Sequence, residues 1–241
     1  MKKILLLPMA SVLLLALSAG GQFFLRSNRA ASAPAIAQSA FAALGGIRSV
    51  VSEIVWFRAD RLRDEGRYVE LAQLASLLVL MEPHTPEVWS YSAWNMAYNI
   101  SIMMPTYEDR WRWVDAAVKF LRDKGLKYNP REAELYRELA WMFEMKIGAD
   151  IDSAASVYRE KWAQIERDVA SRGAWEEIGM DPMHMLEIER KTGFNDWTNP
   201  QLSAIYWADK GLRYATGDNR SFLTGIIRQA LVLYGKIGAK K

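Results

Sequence analysis

Apolar residues return every three or four positions along most of the chain beyond Gly46. In "IRSVVSEIVWFRADRLRDE", Ile47, Val51, Ile54, Val55 and Leu62 share one broad helical face. No stretch alternates apolar and polar residues for long enough, with β-branched enrichment and turn residues at its ends, to predict a strand. The pattern predicts an all-α region of about nine or ten helices. The breaks between them carry helix-start chemistry. Thr85-Pro86, Asn129-Pro130 and Asn199-Pro200 each set a capping side chain before a proline, whose missing N–H is harmless in a first turn. Glu132, three positions after Asn129, predicts a capping box. Gly66 and Gly125 are predicted to stop the helices before them by adopting the left-handed conformation. The connections around Gly66 and Pro83 are short, which predicts antiparallel helix pairs.

The amino-terminal pattern differs. Lys2 and Lys3 precede 22 uncharged residues, Ile4 to Leu25, and then Arg26. As a helix this run would rise about 33 Å, against a bilayer core of about 30 Å. It reads either as an uncleaved signal anchor or as a signal peptide with an apolar region from Ile4 to Leu17 and small residues from Ser18 to Gly21 at its cleavage site. Lys2 and Lys3 favour a cytoplasmic amino terminus, which places the remainder outside the cytoplasm, membrane-anchored or, after cleavage, secreted or periplasmic. The expected organisation is an anchor or signal peptide over 1–25, a small-residue tether over 26–45 and a helical domain over 46–241.

Within that domain, "EGRYVELAQLASLLVLMEP" has a turn glycine at Gly66, an aromatic at Tyr68, inward positions at Leu71, Ala75 and Leu78, and a closing Pro83. A second unit begins at Trp89 with Ser92 and Ala93. A third follows Pro130 with Tyr136, Leu139, Ala140 and Phe143, and a looser fourth includes Ala204 and Ala208. "DKGLKYNP" and "DKGLRYAT" echo each other 86 residues apart, counting from Asp123 to Asp209. These stretches resemble the tetratricopeptide repeat (TPR) family, whose unit is a helix-turn-helix of about 34 residues. The spacing departs from that unit between Pro83 and Pro130, which are 47 residues apart, and again from Asp150 to Trp197.

The resemblance implies a right-handed superhelical stack of antiparallel helix pairs, a TPR-like solenoid, with small contacts at Ala59, Ala93 and Ala140. It also implies a concave face lined by first helices. Carried across residue by residue, Trp56, Asp60, Arg63, Trp94, Tyr98, Arg137, Trp141 and Glu144 fall toward that face as candidate partner contacts. A protein or peptide partner is the expected ligand, since repeats of this family resemble scaffolds.

Composition narrows the rest. The chain has no cysteine, which excludes disulfides, thiolate metal sites and cysteine nucleophiles. The net charge is +3, but Lys2 and Lys3 supply two of the 31 basic residues, leaving 29 against 28 acidic ones, interspersed in sign. A nucleic-acid partner is therefore not expected. His184 and Glu187 lie a turn apart with no second histidine nearby, so no metal or other cofactor is expected. Glu132, Glu134 and Glu138 read as a solvated helix face, and the chain lacks the known catalytic spacings, so enzymatic activity is not expected. Two other readings stay open: an envelope enzyme using carboxylates in 150–197, and a passive structural subunit of an envelope assembly. "IMMP", Ile102 to Pro105, reads as an inserted knob that Asn95 and Asn99 either hold against the scaffold or leave free.

Overall fold

The computed structural model describes residues 47–238, with side chains from 54 to 235. Counting each π-helical segment with the helix it widens, the described residues form nine helices and no strand. The expected anchor and tether, residues 1–45, lie outside the described residues, and no described helix is long and apolar enough to cross a membrane. The chain divides into two compact units at Met81 and Glu82.

The first unit is a helix pair, α1 (Ile47–Asp64) and α2 (Tyr68–Met81). Gly66 ends α1 as expected, at φ +70°. Its N–H donates to Arg63 O (3.0 Å) while Arg67 N–H donates to Leu62 O (2.8 Å), the paired bonds of a Schellman stop. Val55, Ala59 and Leu62 bury against Leu71, Ala75, Leu78 and Met81. The broad inward face expected of α1 is narrower than its sequence suggests. Ile54 is 54% exposed, because only the i, i+4, i+7 stripe meets α2.

The second unit holds α3 (86–103), α4 (107–128), α5 (133–147), α6 (Ala155–Arg172), α7 (Pro182–Thr192), α8 (Pro200–Leu212) and α9 (Gly217–Gly238), with a 3₁₀ turn at Trp175–Ile178. α3 packs on α4 and α5, and α8 packs on α5 and α9. Every residue from 200 to 208 is buried, so α8 is an internal helix, apolar nearly all round. Prolines and caps start several helices. Asn199 accepts from Gln201 N–H (3.1 Å), Asp181 from Met183 N–H (2.9 Å) and Thr106 from Asp109 N–H (3.1 Å).

Two expectations around α5 are corrected. The capping box at Asn129 and Glu132 does not form. Instead the Asn129 amide is buried and donates to Pro83 O (2.9 Å), so tertiary bonding takes the side chain that local capping would have used. Gly125 does not stop its helix either. It stays right-handed at φ −55°, inside a helix that continues to Tyr128, and its backbone lies against the Trp89 ring, where an added Cβ would be in ordinary contact at 3.5 Å.

Three helices widen into π-helical segments: Asn95–Ile100 in α3, Phe120–Gly125 in α4 and Met142–Ile147 in α5. Each contains or ends on an i→i−5 bond, such as Gly148 N–H to Phe143 O at 3.0 Å. The first carries Tyr98 and the third carries Glu144 and Lys146.

A close helix approach lies at Gly211 on α8. A Cβ there would sit 2.7 Å from Tyr136 Cβ and 3.1 Å from Leu223 Cδ1. Gly211→Ala is therefore expected to lower stability by about 1–3 kcal/mol through overpacking, outweighing the roughly 1 kcal/mol that alanine gains in a helix. Urea titration checks this, and a more stable variant would contradict the close approach.

Candidate partner-binding cleft

Helical spacing places several aromatic and charged residues at one surface of the second unit. Trp94 and Tyr98 lie one turn apart on α3, and Arg137, Trp141 and Glu144 follow one another by turns on α5. Trp94, Arg137, Glu138 and Trp141, with Phe222 of α9, line a cleft of about 350 Å³.

The cleft has two aromatic pairs. Trp94 stacks on Tyr98 with centroids 5.7 Å apart and planes at 24°, and Trp141 packs on Phe222 at 5.4 Å. Trp94 and Phe222 are 41% and 44% exposed, high values for such large apolar side chains. Arg137 is fixed from several sides. It donates to Asn219 Oδ1 (2.7 Å) and to Glu138 Oε1 (3.0 Å from Nη2), and its guanidinium carbon lies 5.5 Å from the Phe222 centroid. Held this way, it loses little side-chain freedom on meeting a ligand.

The floor is buried and short of hydrogen bonds. Tyr98 Oη lies beside Trp141 without a well-aligned bond to it. Burial, with the charges of Glu138 and Glu144, pushes its pKa up. Glu144 is only 1% exposed and neither carboxylate oxygen has a partner, so burial raises its pKa to about 7. It does not line the cleft: it lies in the widened turn at the end of α5 with its carboxylate enclosed, where a solvent-facing contact residue was expected. Burial also raises the pKa of Glu138, against the pull of Arg137. The solvated face expected of Glu132, Glu134 and Glu138 is thus only partly solvated: Glu132 is exposed, while Glu134 takes a hydrogen bond from Ser90.

Of the eight candidate contacts, the fold brings Trp94, Tyr98, Arg137, Trp141 and Glu144 together. Trp56, Asp60 and Arg63 belong to the first unit, where Asp60 and Arg63 form an exposed ion pair at 3.1 Å and Trp56 is half-buried. Sequence reasoning missed Phe222 and Asn219, because nothing local to α9 says which helix it covers. Glu138 was visible as part of the charge run, but its burial was not.

Behind Tyr98, Lys146 lies 5.3 Å from that ring's centroid and pairs with Asp152 at 2.5 Å, both ends buried. Asp152 also accepts from Ala154 N–H (2.9 Å) and Tyr158 Oη (3.2 Å); against the upward push of burial, the Lys146 ammonium first and then these bonds hold its carboxyl below the usual range. Arg110 reaches from Asp152 (3.5 Å) to Met104 O (3.2 Å) and so ties down the base of the inserted knob. Asn99 bonds Asn95 (3.0 Å), while Ile102 and Met103 are exposed.

In the region 150–197, Glu166 is buried with no hydrogen-bond partner and its pKa rises to about 8 through burial. The neighbouring Ser203 hydroxyl opposes that rise but makes no well-aligned bond to it. His184 is buried between Arg213 (3.0 Å), Glu187 and Asp209 (3.4 Å each), and no group of three metal-ligating side chains occurs among the described residues. In comparisons with known proteins, no family model matches the chain, and neither does a curated protein or a solved structure.

Proposed function

We propose that this chain is a non-enzymatic protein-binding scaffold that grips a segment of a partner protein in the aromatic cleft. The observation that carries the reading is the pair of exposed aromatic faces, Trp94 and Phe222, beside Trp141 and an immobilised Arg137. Rigid aromatic anchors and arginine dominate the energetics of protein interfaces because they bury large area at low entropic cost. The resemblance of the repeats to the TPR family supports the same role, with the packed helices forming a TPR-like stack and Ala59, Ala93 and Ala140, all buried, as its small contacts. The apolar run from Ile4 to Leu25 supports a membrane tether holding the domain outside the cytoplasm.

The test is partner recovery by the full-length chain from detergent-solubilised host membranes. Trp94→Ala and Trp141→Ala are each expected to reduce recovery by about tenfold or more. Trp94→Ala is expected to cost only about 1 kcal/mol of stability, since the residue is 41% exposed and its ring contact is the stack on Tyr98. Unchanged recovery with both variants would remove the cleft from the partner surface.

A further inference from the structure

Resting on the cleft as the partner surface, we infer that it takes a cationic side chain, a lysine or arginine of the partner's bound segment, against Trp94 and Trp141 between carboxylates. The aromatic rings of this region already hold cations. Arg137 lies over Phe222 at 5.5 Å and Lys146 over Tyr98 at 5.3 Å. Among the described residues, no cation of the chain lies over Trp94 or Trp141, although indole is the strongest cation acceptor of the aromatic side chains. Tyr98 covers one face of Trp94, and the 41% exposure of Trp94 leaves surface for a ligand to stack on.

Charge supports the same class. Among the described residues, Arg137 is the one basic residue lining the cleft. It lies 3.0 Å from Glu138, which lines the cleft beside it, and 4.0 Å from Glu134 one turn earlier on α5, so two carboxylates flank one guanidinium. The charge of Lys146 is taken by Asp152 behind the aromatic floor. An acidic side chain entering here would meet Glu138 and Glu134 with Arg137 already engaged. A basic one would find an uncovered indole face and the two carboxylates flanking Arg137. The volume of about 350 Å³ suits one long side chain with its neighbouring backbone.

The experiment uses the full-length chain in detergent with ¹⁵N-labelled tryptophan, its Trp94 and Trp141 indole signals assigned by loss in Trp94→Phe and Trp141→Phe. The probes are capped tripeptides, Gly-Lys-Gly and Gly-Arg-Gly, against Gly-acetyllysine-Gly and Gly-Glu-Gly. The lysine and arginine peptides are expected to shift both indole signals saturably and to bind at least about tenfold more tightly than acetyllysine, which keeps the length and loses the charge. Trp94→Leu, which keeps apolar area on an exposed site and removes the π face, is expected to weaken lysine binding about three- to tenfold, with Trp94→Phe intermediate. Equal or tighter binding of acetyllysine or glutamate, or no shift with any peptide, would overturn the cationic ligand. Acetyllysine binding that depends on Trp94 would do so while leaving the cleft itself as the partner surface. Partner recovery insensitive to both alanine variants would instead remove the cleft.

Discussion

Trp89→Ala is expected to destabilise the second unit by about 3–5 kcal/mol, the range for emptying a buried tryptophan site. The indole has no exposed surface, packs on Phe120 (4.8 Å) and Tyr128 (5.8 Å), and faces the side-chain-free position at Gly125. Its N–H donates to Pro83 O at 2.9 Å, the same carbonyl that accepts from Asn129 at 2.9 Å. The side chain thus joins the segment entering α3 to the connection between α4 and α5. Removal leaves a cavity that rigid helices cannot close and strips Pro83 O of one donor. Trp89→Phe should cost less, since it keeps ring volume and loses only the hydrogen bond and part of the contact area. Urea unfolding followed by circular dichroism measures both, and the expectation is a lower midpoint at an unchanged slope. An alanine variant within about 1 kcal/mol of the parent would mean that this indole does not organise the core.

The second large effect is on pH dependence. Glu144 and Glu166 are buried with no partners, and their pKa values stand at about 7 and about 8 against the usual 4.5. Each holds its proton more tightly folded than unfolded. Between pH of about 4.5 and about 8, the native state therefore binds more protons than the unfolded chain. The contribution of the two carboxyls to stability is fullest below that window, falls as pH rises through it and levels off above it. At about 1.4 kcal/mol per pH unit, these shifts correspond to contributions on the order of 3–5 kcal/mol each. Glu144→Gln and Glu166→Gln keep the volume and remove the ionisation, so each is expected to match the parent near pH 5 and to exceed its stability near pH 8. Thermal or urea unfolding at the two pH values decides it. A parent that gains stability from pH 5 to 8, or a glutamine variant with the parent's slope, would show that these carboxyls find partners or solvent.

Both effects arise at residues whose chemical type is plain in the sequence and whose surroundings are not. Trp89 stood out as the start of a repeat unit, yet its partners lie up to 39 positions away at Tyr128, and the glycine whose backbone lies against it read locally as a helix stop. Glu144 shares a helical register with Arg137 and Trp141, because helices repeat every 3.6 residues, yet its carboxylate is enclosed and does not line the cleft. It lies in a widened turn of α5 that no local pattern announces. Phe222 was illegible for a similar reason: α9 reaches the cleft through its packing on α5 and α8.

The sequence by itself determined the helical class, the helix starts at Pro86 and Pro200, the helix stop at Gly66 and the small buried positions Ala59, Ala93 and Ala140. These follow from backbone sterics and apolar periodicity, which act within a few residues. Only the tertiary structure decided that Ile54 faces out, that Asn129 bonds Pro83 instead of capping α5, and that two glutamates are enclosed without partners. Those outcomes depend on what another helix brings to the same place, and burial and desolvation are properties of that assembled neighbourhood.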